Sequence, residues 1–198
     1  MIKPTNLVNN LAPEILRRRS RSRALILYDG VEAFLISVLK RPRQSREGIE
    51  QFLSRLLADR PQARPAAAAA GDLPRKAALA WALQMQQLEE WLAGPDGARI
   101  RTLAAGDLLD APVQSLCAVA EWLGIDLSPS EAGAIGAGPV WRRDAKATDR
   151  DYTPERRRQE QALARRVLAQ PIAEARGWLD GTAALATGGF PQRLSVLA

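Results

Sequence analysis

Ala24-Leu25-Ile26-Leu27-Tyr28-Asp29-Gly30 is the stretch on which the architecture turns. Five apolar residues in a row, closed by Asp-Gly and preceded by the basic turn Arg17-Arg18-Arg19-Ser20-Arg21-Ser22-Arg23, match a buried parallel strand in length and composition. Downstream, Val31 to Lys40 is expected to be helical, with Phe34, Leu35, Val38 and Leu39 inward. Upstream, Ile2 to Asn6 reads as the end of a strand entering a turn, followed by a helix from about Leu7 to Arg18 capped by Thr5 or Asn6. The first forty residues therefore follow a β-α-β-α pattern, and a helix-covered parallel sheet is the natural product.

Further along, Ile49, Phe52, Leu53, Leu56 and Leu57 predict an amphipathic helix over 47–59, and the proline- and alanine-rich stretch Arg60 to Asp72 a variable surface connection. Leu73 to Leu92 is expected to form a long helix ended by Gly94-Pro95-Asp96-Gly97, with a strand at Ala98 to Leu103. Asp107 to Pro112 reads as a turn with Asp110 as N-cap of a helix from Pro112 to Leu123 that stops at Gly124. A short helix starts at the Ser128-x-x-Glu131 signal, a glycine-rich bend follows at Gly133, Gly136 and Gly138, and Thr153-Pro154-Glu155 opens a charged helix to about Leu168. Pro171 to Leu179 forms a last helix, and the chain divides into a single domain over 1–180 and a loose tail over 181–198.

Composition bounds the chemistry. The 198 residues are 46% hydrophobic, enough for one domain with a core. Histidine is absent and Cys117 is the single cysteine, so Ser-His and Cys-His nucleophile pairs cannot be built, the common metal sites lose their main ligands, and no metal is expected. Cys117 itself, inside Leu116-Cys117-Ala118-Val119-Ala120, is expected in the core. No apolar run reaches bilayer-spanning length and no secretory h-region opens the chain, so the expected location is the cytoplasm. A formal charge of +6 with a pI near 10.2 favours polyanionic partners.

Two stretches resemble the P-loop sulfotransferase family. Ile100-Arg101-Thr102-Leu103-Ala104-Ala105-Gly106-Asp107-Leu108-Leu109-Asp110-Ala111-Pro112, with Leu116, Ala120, Leu123, Gly124 and Ile125 after it, is similar to that family's strand, D-L-L-x-x-P turn and L-x-x-x-A-x-x-L-G helix. Lys3-Pro4-Thr5-Asn6 and the segment from Ala24 to Lys40 resemble the strand, helix, strand and serine-bearing helix that approach the cofactor's 3′-phosphate. The resemblance implies an α/β fold with a small parallel sheet surrounded by many helices, an incomplete version of the family's three-layer fold. It also implies a nucleotide cosubstrate, 3′-phosphoadenosine 5′-phosphosulfate or its product adenosine 3′,5′-bisphosphate.

On that resemblance Ser37 matches the phosphate-holding serine, Tyr28 stands where the family has an arginine, and Arg23, Lys40 and Arg41 are the cations that could stand in for it. Lys146, between Trp141 and Tyr152, matches the late basic loop that closes over the same phosphate. A dianionic phosphate calls for such charge-assisted donors and hydroxyls near helix N-termini. The family's glycine-rich phosphosulfate loop has no counterpart in the sequence, so the expectation is an N-terminally truncated chain, inactive alone, whose parent transfers a sulfuryl group to a hydroxyl or amine acceptor not identified by sequence. Neither Glu32 nor Glu90 sits in a motif that would select it as a catalytic base. The alternative is a non-catalytic basic helical module for nucleic acid or a protein partner. Arg17-Arg18-Arg19, Arg21, Arg23 and Arg156-Arg157-Arg158 would supply its phosphate contacts, but the sequence shows no aromatic residues between them, which leaves nucleic acid less favoured.

Overall fold

The computed structural model describes residues 11–143 and 151–182. The expected strand at Ile2 to Asn6, Lys146 and the tail beyond residue 182 lie outside them. Helix α1 (Ala12–Arg18) leads into strand β1 (Ala24–Tyr28), and α2 (Val31–Leu39), α3 (Pro42–Asp59), α4 (Arg64–Ala69) and α5 (Leu73–Ala93) connect it to β2 (Ile100–Ala104). Then come α6 (Ala105–Asp110), α7 (Pro112–Leu123), α8 (Pro129–Gly136), α9 (Pro154–Val167) and α10 (Ala169–Asp180). The protein is mostly helical with a small parallel sheet, as the α/β expectation held.

Among the described residues the sheet has two strands, paired in parallel with Ala24 opposite Ile100 and Tyr28 opposite Ala104. Side chains alternate between its faces. Ala24, Ile26 and Ile100 meet Leu16 of α1 and Trp91 and Leu92 at the end of α5. On the opposite face Arg101 lies under the Trp122 ring of α7. Helices thus cover both faces. Trp81, twelve residues before the end of α5, donates its indole N–H to the Asp29 carbonyl at 2.8 Å, so α5 runs antiparallel to the strands from their carboxyl to their amino ends.

The main core lies on the far side of α5, where Leu35, Ile36 and Val38 of α2, Ile49, Phe52, Leu53 and Leu56 of α3, and Ile172, Ala175 and Leu179 of α10 gather around Leu79 and Leu83. Two ion pairs clip α3 and its end to α5: Lys76 to Glu50 at 2.6 Å, and Arg60 to Glu90 through both guanidinium nitrogens at 2.9 and 2.5 Å. The pair holds the Glu90 carboxyl below the usual carboxylate range, chiefly through the Arg60 hydrogen bond.

Most helix boundaries follow their local signals. Asp72 caps α5 by accepting from the Arg75 amide, Thr153 caps α9 in the same way, Ser128 and Glu131 form a reciprocal capping box, and Gly124 ends α7 in the left-handed region at φ 68°. Four expectations are corrected. The connection from Arg60 to Asp72 is a turn and helix α4, with Ala63 and Ala70 buried, because an alanine run with Pro65 in its first turn is a good helix former. Helix α3 begins at Pro42, five residues before the expected start. Asp107 to Asp110 belong to the short helix α6, and Ala111, not Asp110, is the cap of α7 with no side-chain bond. Cys117 is only part-buried, on the flank of α7.

Two positions test the packing directly. A Cβ on Gly97 would collide with the backbone of Leu92, where α5 turns toward β2, so Gly97→Ala is expected to lower unfolding stability by about 1 to 3 kcal/mol in a denaturant titration. Thr102, wholly buried in β2, has a hydroxyl with no hydrogen-bond partner among the described residues. Thr102→Val keeps the β-branched shape and removes that group, so it is expected to raise stability by about 1 kcal/mol by the same measurement.

Candidate functional site

In α/β sheets, ligands gather at the carboxyl ends of the strands. Here that end is formed by Tyr28-Asp29-Gly30 leading into α2 and by Ala104 leading into α6. Gly30 caps α2 in an extended conformation with no side-chain hydrogen bond, and the first intrahelical bond runs from the Phe34 amide to the Gly30 carbonyl at 3.0 Å. The amides of Val31, Glu32 and Ala33 precede it and have no acceptor within the helix.

Glu32, in this first turn, receives two arginines from distant parts of the chain. Arg165 of α9 donates to it at 2.7 Å and Arg176 of α10 approaches at 3.8 Å. The three side chains border an open cleft of about 490 Å³ whose α10 wall is Ala169, Ile172, Ala173, Gly177 and Asp180. The wall is shallow because Ala169, Ala173 and Gly177 recur every four residues and bring little side chain to the surface. Both guanidiniums are about half exposed, so the pairs with Glu32 are weakly held and exchangeable.

The five sequence-derived contacts are not brought together. Ser37 is exposed six residues into α2, roughly 9 Å along the axis from its amino end, and its hydroxyl donates to the Phe34 carbonyl at 2.8 Å. Lys40 and Arg41 follow at the carboxyl end of α2, exposed, where the helix presents carbonyl oxygens rather than amides. Arg23 is at the amino end of β1, the opposite end of the sheet from α2's first turn, where it donates to the Trp122 carbonyl. Lys146 falls outside the described residues. Arg165 and Arg176 were not selected by sequence, since no local motif surrounds them and their meeting with Glu32 depends on how α9 and α10 fold back over α2.

Asp29 adds a titrating group at the same end of the sheet. Although the residue reaches solvent, desolvation pushes its carboxyl above the usual aspartate range. A raised carboxyl binds its proton more tightly folded than unfolded, so stability falls as pH rises from the unfolded value toward the folded one and stays lower above it. Asp29→Asn is therefore expected to raise the melting temperature at pH 7 and to make no difference at pH 3, as thermal melts across that range would report.

No protein-family profile, curated protein sequence or solved structure matches this chain.

Proposed function

We propose that the chain is the nucleotide-holding part of a P-loop sulfotransferase-like protein, and that the amino end of α2, with Arg165 and Arg176, receives the terminal phosphate of adenosine 3′,5′-bisphosphate or of 3′-phosphoadenosine 5′-phosphosulfate. The reading is supported by the sequence resemblance and by a parallel strand pair whose carboxyl end opens on a helix amino terminus. The observation that carries it is the convergence of Arg165 and Arg176 on Glu32 in the first turn of α2. Two guanidiniums beside a helix amino end suit a dianion, and Glu32 would hold the place a phosphate takes.

The proposal concerns binding. Sulfuryl transfer requires donors around the transferring group, and the described residues at this cleft supply only the two arginines and the helix end. The acceptor of the parent reaction is a hydroxyl or amine of unassigned identity.

A second reading, a helical module that binds a protein partner, is favoured by Leu163 and Val167 on α9, which are 53% and 69% exposed on the helix that carries Arg165. Calorimetric titration with adenosine 3′,5′-bisphosphate separates the two. The nucleotide reading expects saturable binding that Arg165→Ala weakens about tenfold, in line with the loss of one charge-assisted hydrogen bond, and that Glu32→Gln tightens by removing the internal competitor. Weakening by Ser37→Ala but not by Arg165→Ala would move the phosphate to the other end of α2. Absence of binding at millimolar nucleotide would overturn the reading.

A further inference from the structure

The amino end of the sheet carries a second arginine-rich surface. Arg99, just before β2, directs its guanidinium at the chain that enters β1. It donates to the carbonyls of Leu16 at 2.8 Å, Arg19 at 3.0 Å, Ser22 at 3.1 Å and Ser20 at 3.4 Å, and to the Asp96 carboxylate at 2.5 Å. One side chain thus draws the carbonyls of the whole basic turn inward. The side chains of Arg19 and Arg21 stand exposed on this fixed backbone, and among the described residues neither has a side-chain partner.

Next to the turn, two more guanidiniums converge on one indole. Arg101 sits 4.1 Å and Arg23 4.8 Å from the centre of the Trp122 ring, while the Trp122 N–H approaches the Ala24 carbonyl at 3.4 Å. Arg101 otherwise donates to the Ala98 and Ile100 carbonyls and Arg23 to that of Trp122, so neither meets a carboxylate among the described residues. Two like charges held on one ring repel each other unless an anion lies between or beside them. Of the acids nearby, Glu14 is engaged by Arg17 and Arg18 and Asp96 by Arg99, while Glu121 and Asp126, exposed on and just after α7, pair with neither arginine among the described residues.

We propose that this surface, made of Arg19, Arg21, Arg23 and Arg101 around Trp122, binds the phosphodiester backbone of a nucleic acid without sequence preference. Guanidiniums on a rigid backbone match phosphate oxygens geometrically, and Ser20 and Ser22 add hydroxyl donors between them. The arginine-aromatic arrangement that the linear sequence lacks is assembled here, since Trp122 lies about a hundred residues from the turn. A membrane surface is less favoured, because among the described residues near it the large exposed apolar side chains are few, Leu11 and Ile125, too little to insert into a lipid interface.

The surface lies at the other end of the strands from the α2 cleft, so its test is independent of nucleotide binding. Fluorescence anisotropy with a labelled DNA duplex of arbitrary sequence is read on the intact chain as salt is raised from about 50 to about 200 mM. The expected result is affinity that falls with a log-log salt slope of about −3 to −4, as for four phosphate contacts, and a slope shallower by about two units in the Arg19→Ala/Arg21→Ala double variant. Arg101→Ala, which leaves the turn untouched, is expected to reduce the slope by about one. All three positions are on the surface or stacked on it, and a thermal melt checks that each variant is folded. Duplex binding that ignores these substitutions, no binding at the lower salt, or binding confined to phosphatidylserine vesicles or to polyglutamate would each overturn the proposal.

Discussion

The close approach of three helices to α5 is the constraint on which the rest of the molecule depends. Ala77, Ala78, Ala80 and Ala82 are each wholly buried, so α2, α3 and α10 can press against one helix. Larger side chains at these positions would push the neighbours apart, and the leucines between them, Leu79 and Leu83, fill the space that remains. Each of these leucines contributes roughly 1.5 to 3 kcal/mol on burial, whereas the exposed ion pairs around the helix contribute well under 1 kcal/mol apiece. The fold is therefore held by packing on α5, and its charged groups are left free for other work.

The orientation of α5 also sorts that work. Because it runs from the carboxyl to the amino ends of the strands, Trp81 braces Asp29 at one end while Leu92 seals Leu16 and Ile100 at the other. At the carboxyl end Arg165 and Arg176 converge on Glu32, three residues after Asp29. At the amino end Arg99 consumes backbone carbonyls and one carboxylate, leaving a row of guanidiniums outside. Both surfaces are built from arginines that meet only through tertiary packing, and they lie at opposite ends of the strands.

What could be read from sequence was whatever depends on neighbours within about four residues. Ser128, Thr153 and Gly124 mark helix ends because the capping oxygen or the positive φ acts on the next turn. The apolar run at Ala24 to Tyr28 and the motif from Ile100 to Pro112 were legible as strand and strand-to-helix for the same reason. The expectation that Arg60 to Asp72 is a surface connection failed because prolines suggest a break while the alanines between them favour a helix, and only burial of Ala63 and Ala70 against the core decides between them. Ser37 was legible as a helical serine, but its separation from the amino end of α2, where Arg165 and Arg176 meet Glu32, was not, since a motif fixes identity and spacing without fixing what packs against each end of the helix.

Sequence by itself therefore determined the strand at Ala24 to Tyr28, the strand from Ile100 and most helix ends, the absence of histidine chemistry and the basic charge. Tertiary structure alone decided which arginines come together. Arg165 and Arg176 meet Glu32 across more than a hundred residues, and Arg23 and Arg101 meet on Trp122 from three separate elements. The physical reason is that a guanidinium reaches its partner through the packing of the helix or strand that carries it, and that packing is set by apolar burial on α5, which charge patterns along the chain do not encode.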